Sequence, residues 1–516
     1  MNDLTTHPTG EPQKQGELVA AQGPVAVDTF AGRVHVQWNP DAALTPLGQL
    51  AFFIDYLKTA DLFDPWVEAC PVTWTSPNAP NKRDVLGTVM LSILSGHQRY
   101  AHINALRGDA VNPGLLGMEK IVSEDSVRRA FLKMDEAPAV HWLQNHLLQV
   151  TAPLWQIPWV LDADVTVKTI YGAQEGAMVG YNPHKPGRPS HTYHTYLFSP
   201  LRLVLEVEVQ DGKKGASKHS APGLWALLER IPRQCWPALI RGDKDWGTER
   251  NMQQAEQRGM PYLFKQRLTK NTQRTIERLL TEAGWSDAGS GWQGIETRLR
   301  LQGWSRDRRI VVLRRRLQRE LMSEQRDPAS PQQLRLSFTE VQEDFALYEY
   351  AVLVTSLEEE IPAIAQLYRD RADAENPFDE LKNHWGWGGF TTQDLKRCRL
   401  MARTTALIYN WWSLFVRLAD PKKHTEAITS RPLLLSAIGR RTRHANQIQL
   451  NITASHAEAQ FAERQYRRIA AFLGSLRINA EQFNPMQCWC RILSEALIKY
   501  LQGRQLSPPP WLSAPG

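Results

Sequence analysis

The sequence predicts an α/β protein in which a mixed sheet flanked by helices carries a β-rich insertion and lies between two helical regions. Two observations predict this fold. The apolar period is helical from about residue 44 to 135, changes to short apolar and alternating runs between 156 and 268, and is helical again from about 399. Within the middle part, the element order is three strands, a helix and a strand, followed by more helix and strand.

The N-terminal helical part contains a helix with a basic face. Ser123 is a typical capping residue, and the helix that follows exposes Arg128, Arg129 and Lys133 opposite an apolar stripe. The second helix of a DNA-binding helix-turn-helix has this pattern. A plain helical domain with a solvated basic face fits the same residues equally well.

The strands of the middle part end in acidic residues. The apolar run 159–161 leads into Asp162 and Asp164, and the later run 237–240 leads into Asp243 and Asp245. Between them, residues 191–198 are β-rich and residues 203–209 alternate, as expected for two further strands. This order matches the ribonuclease-H-like arrangement, which places one acid on the first strand, one after the fourth strand and one on a late helix.

Residues 271–350 interrupt this pattern with turns, alternating strands and a concentration of arginines. We interpret them as an inserted β-rich subdomain with a basic surface, which suits a DNA backbone. The candidate DNA-binding residues here are Arg314, Arg315, Arg316 and Trp304. An insertion packed by its own tryptophans, with solvated arginines, is the alternative.

The stretch 367–382 contains Tyr368, Arg371, Glu375 and Lys382, at offsets of 0, 3, 7 and 14. On one continuous helix, these four side chains fall within an arc of about 60°. A carboxylate binds metal ions, and a phenol, a guanidinium and an ammonium bind phosphate oxygens. On its own the pattern also fits a solvated helix with charge pairs. Pro377 is expected to kink this helix between Glu375 and Lys382.

Three carboxylates are sufficient to hold two divalent ions for phosphodiester chemistry. The candidates are Asp164, Asp243 and Glu375. Asp162 shares a strand face with Asp164, and Asp245 shares one with Asp243 if that segment is extended, so the choice within each pair depends on motif context.

The chain resembles bacterial insertion-sequence transposases of the DDE class that carry a Tyr-Arg-Glu-Lys signature. Tyr368, Arg371, Glu375 and Lys382 satisfy every interval of that signature. The Asp-x-Thr context of Asp164, the glycine-containing turn 242–247 and the loop 180–190 are similar to those of the family. The resemblance favours Asp164 and Asp243 within their pairs.

The resemblance implies catalysis and metal binding by Asp164, Asp243 and Glu375, with two Mg²⁺ (or Mn²⁺) ions. It implies that Tyr368, Arg371 and Lys382 contact DNA phosphates, and that the enzyme cuts at terminal inverted repeats and joins the 3′-hydroxyl to target DNA. A homodimer on double-stranded DNA follows from that activity. In the insertion, Trp285, Trp292 or Trp304 would stack on a displaced base. A DNA-binding derivative with nuclease activity only, or with none, is the alternative.

Composition agrees with a nucleic-acid partner, since the net charge is +7. The five cysteines form no framework, which favours a reducing compartment. The uncharged run Thr404–Val416 is shorter than the about 20 residues that a membrane span needs. No phosphate-binding GxxxxGK[ST] loop occurs, so no nucleotide triphosphate is expected. We expect a bacterial, cytoplasmic, nucleoid-associated protein.

These expectations divide the chain into seven segments. They are a disordered tail (1–30), a helical DNA-binding domain (31–150), the first part of the catalytic core (151–270), the inserted basic subdomain (271–350), the second part of the core (351–420), a C-terminal helical region (421–505) and a tail (506–516).

Overall fold

The structure is a computed structural model that describes residues 24–183, 185–280, 284–316, 348–371, 375–422, 424–445, 447–479 and 483–512. The strands are β1 (Val25–Thr29), β2 (Gly32–Val36), β3 (Leu44–Thr45), β4 (Val160–Thr169), β5 (Met178–Val179), β6 (Pro189–Ser199), β7 (Leu203–Asp211), β8 (Leu239–Gly242), β9 (Tyr262–Lys265), β10 (Ser286–Gly289), β11 (Trp292–Leu299), β12 (Arg308–Arg316), β13 (Tyr348–Thr355), β14 (Ile438–His444) and β15 (Gln447–Thr453).

The helices alternate with these strands in the middle of the chain and cluster towards its two ends. They are α1 (Leu50–Thr59), α2 (Phe63–Glu68), α3 (Lys82–Leu94), α4 (Asn112–Leu115), α5 (Glu124–Lys133), α6 (Glu136–Thr151), α7 (Ser217–Glu229), α8 (Glu249–Gln257), α9 (Lys270–Leu280), α10 (Ile361–Asp370), α11 (Glu375–Asn383), α12 (Leu395–Ala419), α13 (Ala427–Leu434), α14 (Ala459–Ile478) and α15 (Pro485–Ala496).

The core of the molecule is a mixed sheet with the spatial order β7-β6-β4-β8-β9. Strands β4, β6 and β7 pair antiparallel, whereas β4–β8 and β8–β9 pair parallel. In chain order these are the third, second, first, fourth and fifth strands of the core. That arrangement confirms the predicted ribonuclease-H-like sheet.

One face of this sheet is covered by α12, which packs on β7 and α6. Every residue from Leu400 to Ala419 is buried, which explains an apolar run too short for a membrane. Two buried polar side chains of this helix fix it to β7. Asn410 exchanges two hydrogen bonds with the backbone of Val204 (2.9 and 2.7 Å), and Arg403 pairs with Glu206 at 2.7 Å. None of the helices in the described ranges has the length and apolar character of a membrane-spanning segment.

The described strands of the insertion, β10–β13, continue the core sheet. Strand β13 pairs antiparallel with β9, and β12, β11 and β10 follow in order beyond it. The expected division between core and insertion is therefore absent within the sheet, because β13 provides a ladder for β12 on one edge and for β9 on the other. Residues 317–347 lie outside the described residues.

The two terminal regions are less purely helical than expected. Residues 25–36, part of which we predicted as tail, form the exposed hairpin β1–β2, whose strands are joined by a turn at Phe30 and Ala31. Residues 1–23 lie outside the described residues. In the C-terminal region, β14 and β15 form a hairpin that β3 extends. The basic cluster at residues 440–444 therefore lies on a strand.

Candidate active site

Two of the predicted catalytic acids lie side by side at one edge of the core sheet. In the parallel pairing of β4 with β8, Ala163 is opposite Gly242, so Asp164 and Asp243 are the next residues on neighbouring strands. Adjacent strands in a sheet are about 4.8 Å apart. The fold thus brings together two carboxylates that are far apart in the sequence.

Asp162 has a different environment from Asp164. It is fully buried, and its two oxygens accept hydrogen bonds from Nε and Nη2 of Arg241 at 2.6 and 2.7 Å. Arg241 also donates to Ser199 Oγ (2.7 Å) and to the carbonyl oxygen of Leu367 on α10 (2.6 Å). This pair fixes α10 to the sheet, which leaves Asp164 as the strand acid that faces the site.

Asp164 is paired with the predicted phosphate-binding arginine. Arg371 Nη2 donates to Asp164 Oδ2 at 2.9 Å, and the two side chains are only 12% and 15% exposed. Burial raises the pKa of Asp164 to about 6, with Arg371 lowering it and the Asp243 carboxylate raising it. Burial likewise raises the pKa of Asp243, again opposed by Arg371. Arg371 therefore acts electrostatically on both acids.

Asp245 is held outside this carboxylate pair. Its backbone N–H donates to Asp243 Oδ1 at 3.0 Å, and its side chain forms an ion pair with Arg267, whose side chain is 61% exposed. Asp243 sits in a turn that begins at the end of β8. The choice of Asp243 over Asp245 remains a prediction, and this arrangement favours it.

The signature stretch forms two helices, which corrects the expectation of a single helical face. Helix α10 ends at Asp370 and Arg371 caps it, while α11 begins at Glu375. Pro377 lies in the first turn of α11, where a missing N–H costs nothing, so the expected kink inside a helix does not arise. Residues 372–374 and the side chain of Glu375 lie outside what the structure describes.

Lys382 interacts electrostatically with Asp164, whereas the ring of Tyr368 lies near a different lysine. Burial lowers the pKa of Lys382, and the carboxylates of Asp379 and Asp164 oppose that shift. Lys382 also lines one cavity with Asp243. Tyr368 packs on the apolar layer beneath α10, and its ring centroid lies 5.6 Å from Lys265 Nζ.

Another buried acid, Glu380, which sequence reasoning missed, holds the opposite side of α11. Glu380 accepts hydrogen bonds from His424 Nε2 (2.8 Å), Trp385 Nε1 (3.1 Å) and the Ala427 backbone N–H (2.9 Å). It lies two residues before Lys382 on α11 and points away from the face that Lys382 occupies. The sequence did not indicate this role, because two of its three partners, His424 and Ala427, lie 44 and 47 residues later.

The arginines predicted to bind DNA in the N-terminal region lie on α5, but the residues before it do not form a helix-turn-helix. The short helix α4 and the loop 116–123 precede α5 in place of a tight turn. Arg128 lies near Glu124 and Asp125 (3.7 and 3.6 Å), while Arg129 and Lys133 are exposed. Their contact with DNA remains a prediction.

The arginines of β12 do not form one basic surface, because alternation along a strand places Arg315 opposite Arg314 and Arg316. Arg314 lies over Trp285 (3.9 Å), and Arg315 lies over Trp292 (4.9 Å) and pairs with Glu349 at 2.7 Å. Arg316 is exposed at the end of the strand.

The insertion tryptophans are packing residues in this structure. Trp292 and Trp304 are buried, and Trp285 is half-buried, with its indole N–H donated to the carbonyl of Leu279 at 3.1 Å. Arg308, beside Trp304, is itself buried in ion pairs with Glu249 and Glu256. An exposed ring for base stacking is absent from these three described positions.

Asp164 and Asp243 fit a divalent cation by the chemistry of their donors. They are adjacent, desolvated oxygen donors with raised pKa values, and a hard cation such as Mg²⁺ prefers such ligands. Among the described side chains, no cluster of three or more His, Cys, Asp or Glu residues is placed to hold a metal ion. The third predicted donor, Glu375, begins α11, and its side chain is outside that set.

The chain matches the model of one protein family and is similar to a solved transposase structure. The family model described as "Transposase DDE domain group 1" matches residues 79–473. None of the curated proteins matches the sequence. The chain is similar to a cryo-EM structure of the piggyBac transposase synaptic complex with hairpin DNA, at 10% identity and a TM-score of 0.39, over 88% of this chain and 86% of that one. At that identity and TM-score, the structural match bears on neither residues nor function.

Proposed function

This chain belongs to the transposase DDE domain group 1 family, and on that premise we propose a metal-dependent DNA transposase of an insertion sequence. The enzyme binds the terminal inverted repeats of its element, cleaves the element ends and joins the freed 3′-hydroxyl to target DNA. It acts as a homodimer, because two ends have to be brought together.

One observation supports this proposal above the others. Asp164 and Asp243 lie beside each other where the parallel pairing of β4 with β8 ends; Arg371 acts electrostatically on both carboxylates, and Lys382 interacts with that of Asp164. A solvated charged helix, the alternative for the signature stretch, would leave Arg371 and Lys382 in water. Both are partly or largely buried at the edge of the sheet.

Asp164, Asp243 and Glu375 would hold Mg²⁺ or Mn²⁺, which supplies Lewis-acid stabilisation of the attacking and leaving oxygens. The chain itself positions the DNA. Arg371 offers a planar fork that suits phosphate oxygens. Lys382 adds a second positive charge beside Asp243, and Tyr368 contributes a hydroxyl group close to Lys265.

The proposal is tested with a supercoiled plasmid that carries the gene with its natural flanking DNA. Purified protein and Mg²⁺ should excise the element and join it to a second DNA, both visible on a gel. Cutting without joining would limit the function to a nuclease. Binding without cutting would make the protein a DNA-binding derivative and would contradict the proposal.

The third donor is tested by Glu375→Ala. We expect this variant to bind the element ends with wild-type affinity in a mobility-shift assay, and to leave the plasmid uncut. Cutting by the variant at the wild-type rate would show that Glu375 does not belong to the metal site.

A further inference from the structure

A cavity of about 920 Å³ lies directly beside Asp243 and Lys382. Strand β4 pairs with β8 only over Val160–Ala163, so the next residues of β4 are open on that side. Val165, Thr166 and Val167 form one wall of the cavity. Its volume falls in the range of about 300–1,000 Å³ that is typical of clefts for small molecules. A cavity of this size accommodates a few nucleotides but not a DNA duplex.

The lining of this cavity is predominantly positive. Its charged members are the cations Lys213, Lys244, Lys265, Arg267 and Lys382 and the acids Asp243 and Asp245. Asp245 is already neutralised by its ion pair with Arg267. Lysines spread along a groove attract the phosphates of a nucleic-acid strand without reading its sequence.

An exposed aromatic ring, that of Tyr181, completes the lining. Tyr181 is 69% exposed and lies in the wall of the cavity. A basic groove with an accessible aromatic side chain is the arrangement by which proteins bind single strands, with bases stacked on the ring. The insertion tryptophans, being packed, do not provide such a ring.

The loop that carries Tyr181 is held firmly on both sides of it. Gly180 packs so closely on the next turn that a Cβ added there would lie 1.8 Å from the carbonyl oxygen of Gly212. On the other side, the buried Asn182 donates to Thr169 Oγ1 at 3.0 Å and accepts from the Lys185 backbone N–H at 3.1 Å. Tyr181 is therefore exposed on an ordered backbone.

Tyr171 provides an internal comparison. It is also 69% exposed, but it is not among the residues that line the cavity. Its ring is covered by Lys185 Nζ at 5.1 Å and by Arg188 at 5.9 Å, and Lys185 donates to its hydroxyl group at 2.5 Å. The two tyrosines differ in what their rings face.

We propose that this cavity is a subsite for unpaired nucleotides next to the cleaved phosphate, with Tyr181 stacking on one base. The location relative to a cleaved phosphate rests on the function proposed above. The affinity for a single strand does not, because it needs only the groove and the ring.

The test uses a short single-stranded thymidine oligonucleotide with one 2-aminopurine, in EDTA so that nothing is cut. We expect binding with quenched 2-aminopurine fluorescence for the wild type. Tyr181→Ala should weaken binding about 10-fold, since base–aromatic stacking contributes about 1–3 kcal/mol per base, and should restore the fluorescence. Tyr181→Phe, which keeps the ring, should bind within about 2-fold of the wild type.

Tyr171→Ala is the matched control and should bind like the wild type. Equal binding by Tyr181→Ala and wild type would overturn the inference, as would an equal loss for Tyr181→Phe and Tyr181→Ala. Circular dichroism shows whether Tyr181→Ala folds. If it does not, Lys244→Ala is the second variant, since Lys244 is exposed in the same lining, and it should weaken both the binding and the salt dependence of the binding. Binding by Lys244→Ala with wild-type affinity would overturn the inference.

The plasmid assay separates this inference from the proposed function. If the wild type cuts the plasmid but the Tyr181 variants bind the single strand as the wild type does, the proposed subsite is rejected and the transposase function is kept. If the wild type does not cut the plasmid but its single-strand binding depends on Tyr181, the transposase function is rejected and the subsite is kept.

Discussion

Two aspartate–arginine pairs, whose aspartates lie two residues apart on β4, differ in how completely their charges are compensated by the fold. Asp162 and Arg241 are 0% and 2% exposed and share two hydrogen bonds, and Arg241 has further partners on β6 and α10. Asp164 and Arg371 lie at the sheet edge and are 15% and 12% exposed; Arg371 contacts Asp164 at 2.9 Å, and the Asp243 carboxylate lies beside them.

The difference shows what separates a structural ion pair from a site. Charges that are fully compensated inside the fold hold elements together and have nothing left to offer a ligand. Asp164 is desolvated by burial and repelled by Asp243, so a cation would relieve an existing electrostatic cost. Substitutions in the Asp164 pair should therefore lower activity, whereas substitutions in the Asp162 pair should lower stability.

Asp164→Asn should abolish catalysis without unfolding the protein. Removing a metal-binding carboxylate should lower the rate of plasmid cleavage by a factor on the order of 10³ or more. Cleavage rates and circular dichroism measure the two properties separately. Retention of activity by a folded variant would assign the site to other residues.

Asp162→Asn should do the reverse and destabilise the fold. It leaves the Arg241 guanidinium buried without its countercharge, which costs about 3–5 kcal/mol in the free energy of unfolding. Denaturant titration measures this loss. Asp245→Asn is the control, because Arg267 is exposed and such a pair contributes under about 1 kcal/mol. Similar losses for the two variants would contradict the assignment of Asp162 as structural.

Glu380→Gln should reduce the cleavage rate through the position of α11. Gln keeps the size of the side chain but cannot accept from His424, Trp385 and Ala427 as a carboxylate does. A shift of the helix of about 1 Å would slow the chemical step by up to about 10²-fold. DNA affinity should stay within about 2-fold of wild type, since Glu380 points away from the site. An equal loss of affinity and rate would indicate general unfolding.

The pH dependence of stability should reveal Asp164 itself. Its pKa is raised to about 6 in the folded state, so the protonated form is favoured and metal-free stability falls as pH rises from about 4 through 6. Asp164→Asn removes this cost and should be more stable than wild type at pH 7, by about 3 kcal/mol at most. The gap should close near pH 4, and Mg²⁺ at pH 7 should raise the melting temperature of the wild type alone. A gap independent of pH would contradict the raised pKa.

Arg314→Ala should have the smallest effect. Arg314 lies between Trp285 and Tyr348 and donates to Gln293, so packing already accounts for it. Element-end binding should keep its salt dependence, whereas loss of a phosphate contact would reduce the slope by about one. A reduced slope would restore the insertion as a DNA surface.

Much of the site was predictable because strand ends and motif intervals are local features of the sequence. Asp243 follows the apolar strand β8, whereas Asp164, expected at a strand end, lies within β4, which continues to Thr169; parallel pairing of β4 with β8 still places them together. Glu380, Tyr181 and Arg241 were not predictable, because their roles depend on partners such as His424, Gly212 and Leu367 that only the fold brings near.

The two-helix form of the signature stretch shows the same limit. The intervals between Tyr368, Arg371, Glu375 and Lys382 fit one helix, and Pro377 suggested only a kink. Proline is best tolerated in the first turn, so the chain starts a new helix just before it. Which of these side chains lie close together then depends on how α10 and α11 pack, and sequence periodicity does not predict that packing.

The most direct test of the account is the rate of element-end cleavage by Asp243→Asn and by Asp245→Asn, measured on the same plasmid with Mg²⁺. Both residues lie in one turn after β8, and both variants remove one negative charge. We expect Asp243→Asn to bind the ends and leave them uncut, and Asp245→Asn to cut close to the wild-type rate. Cleavage by Asp243→Asn, or its loss in Asp245→Asn alone, would contradict this expectation.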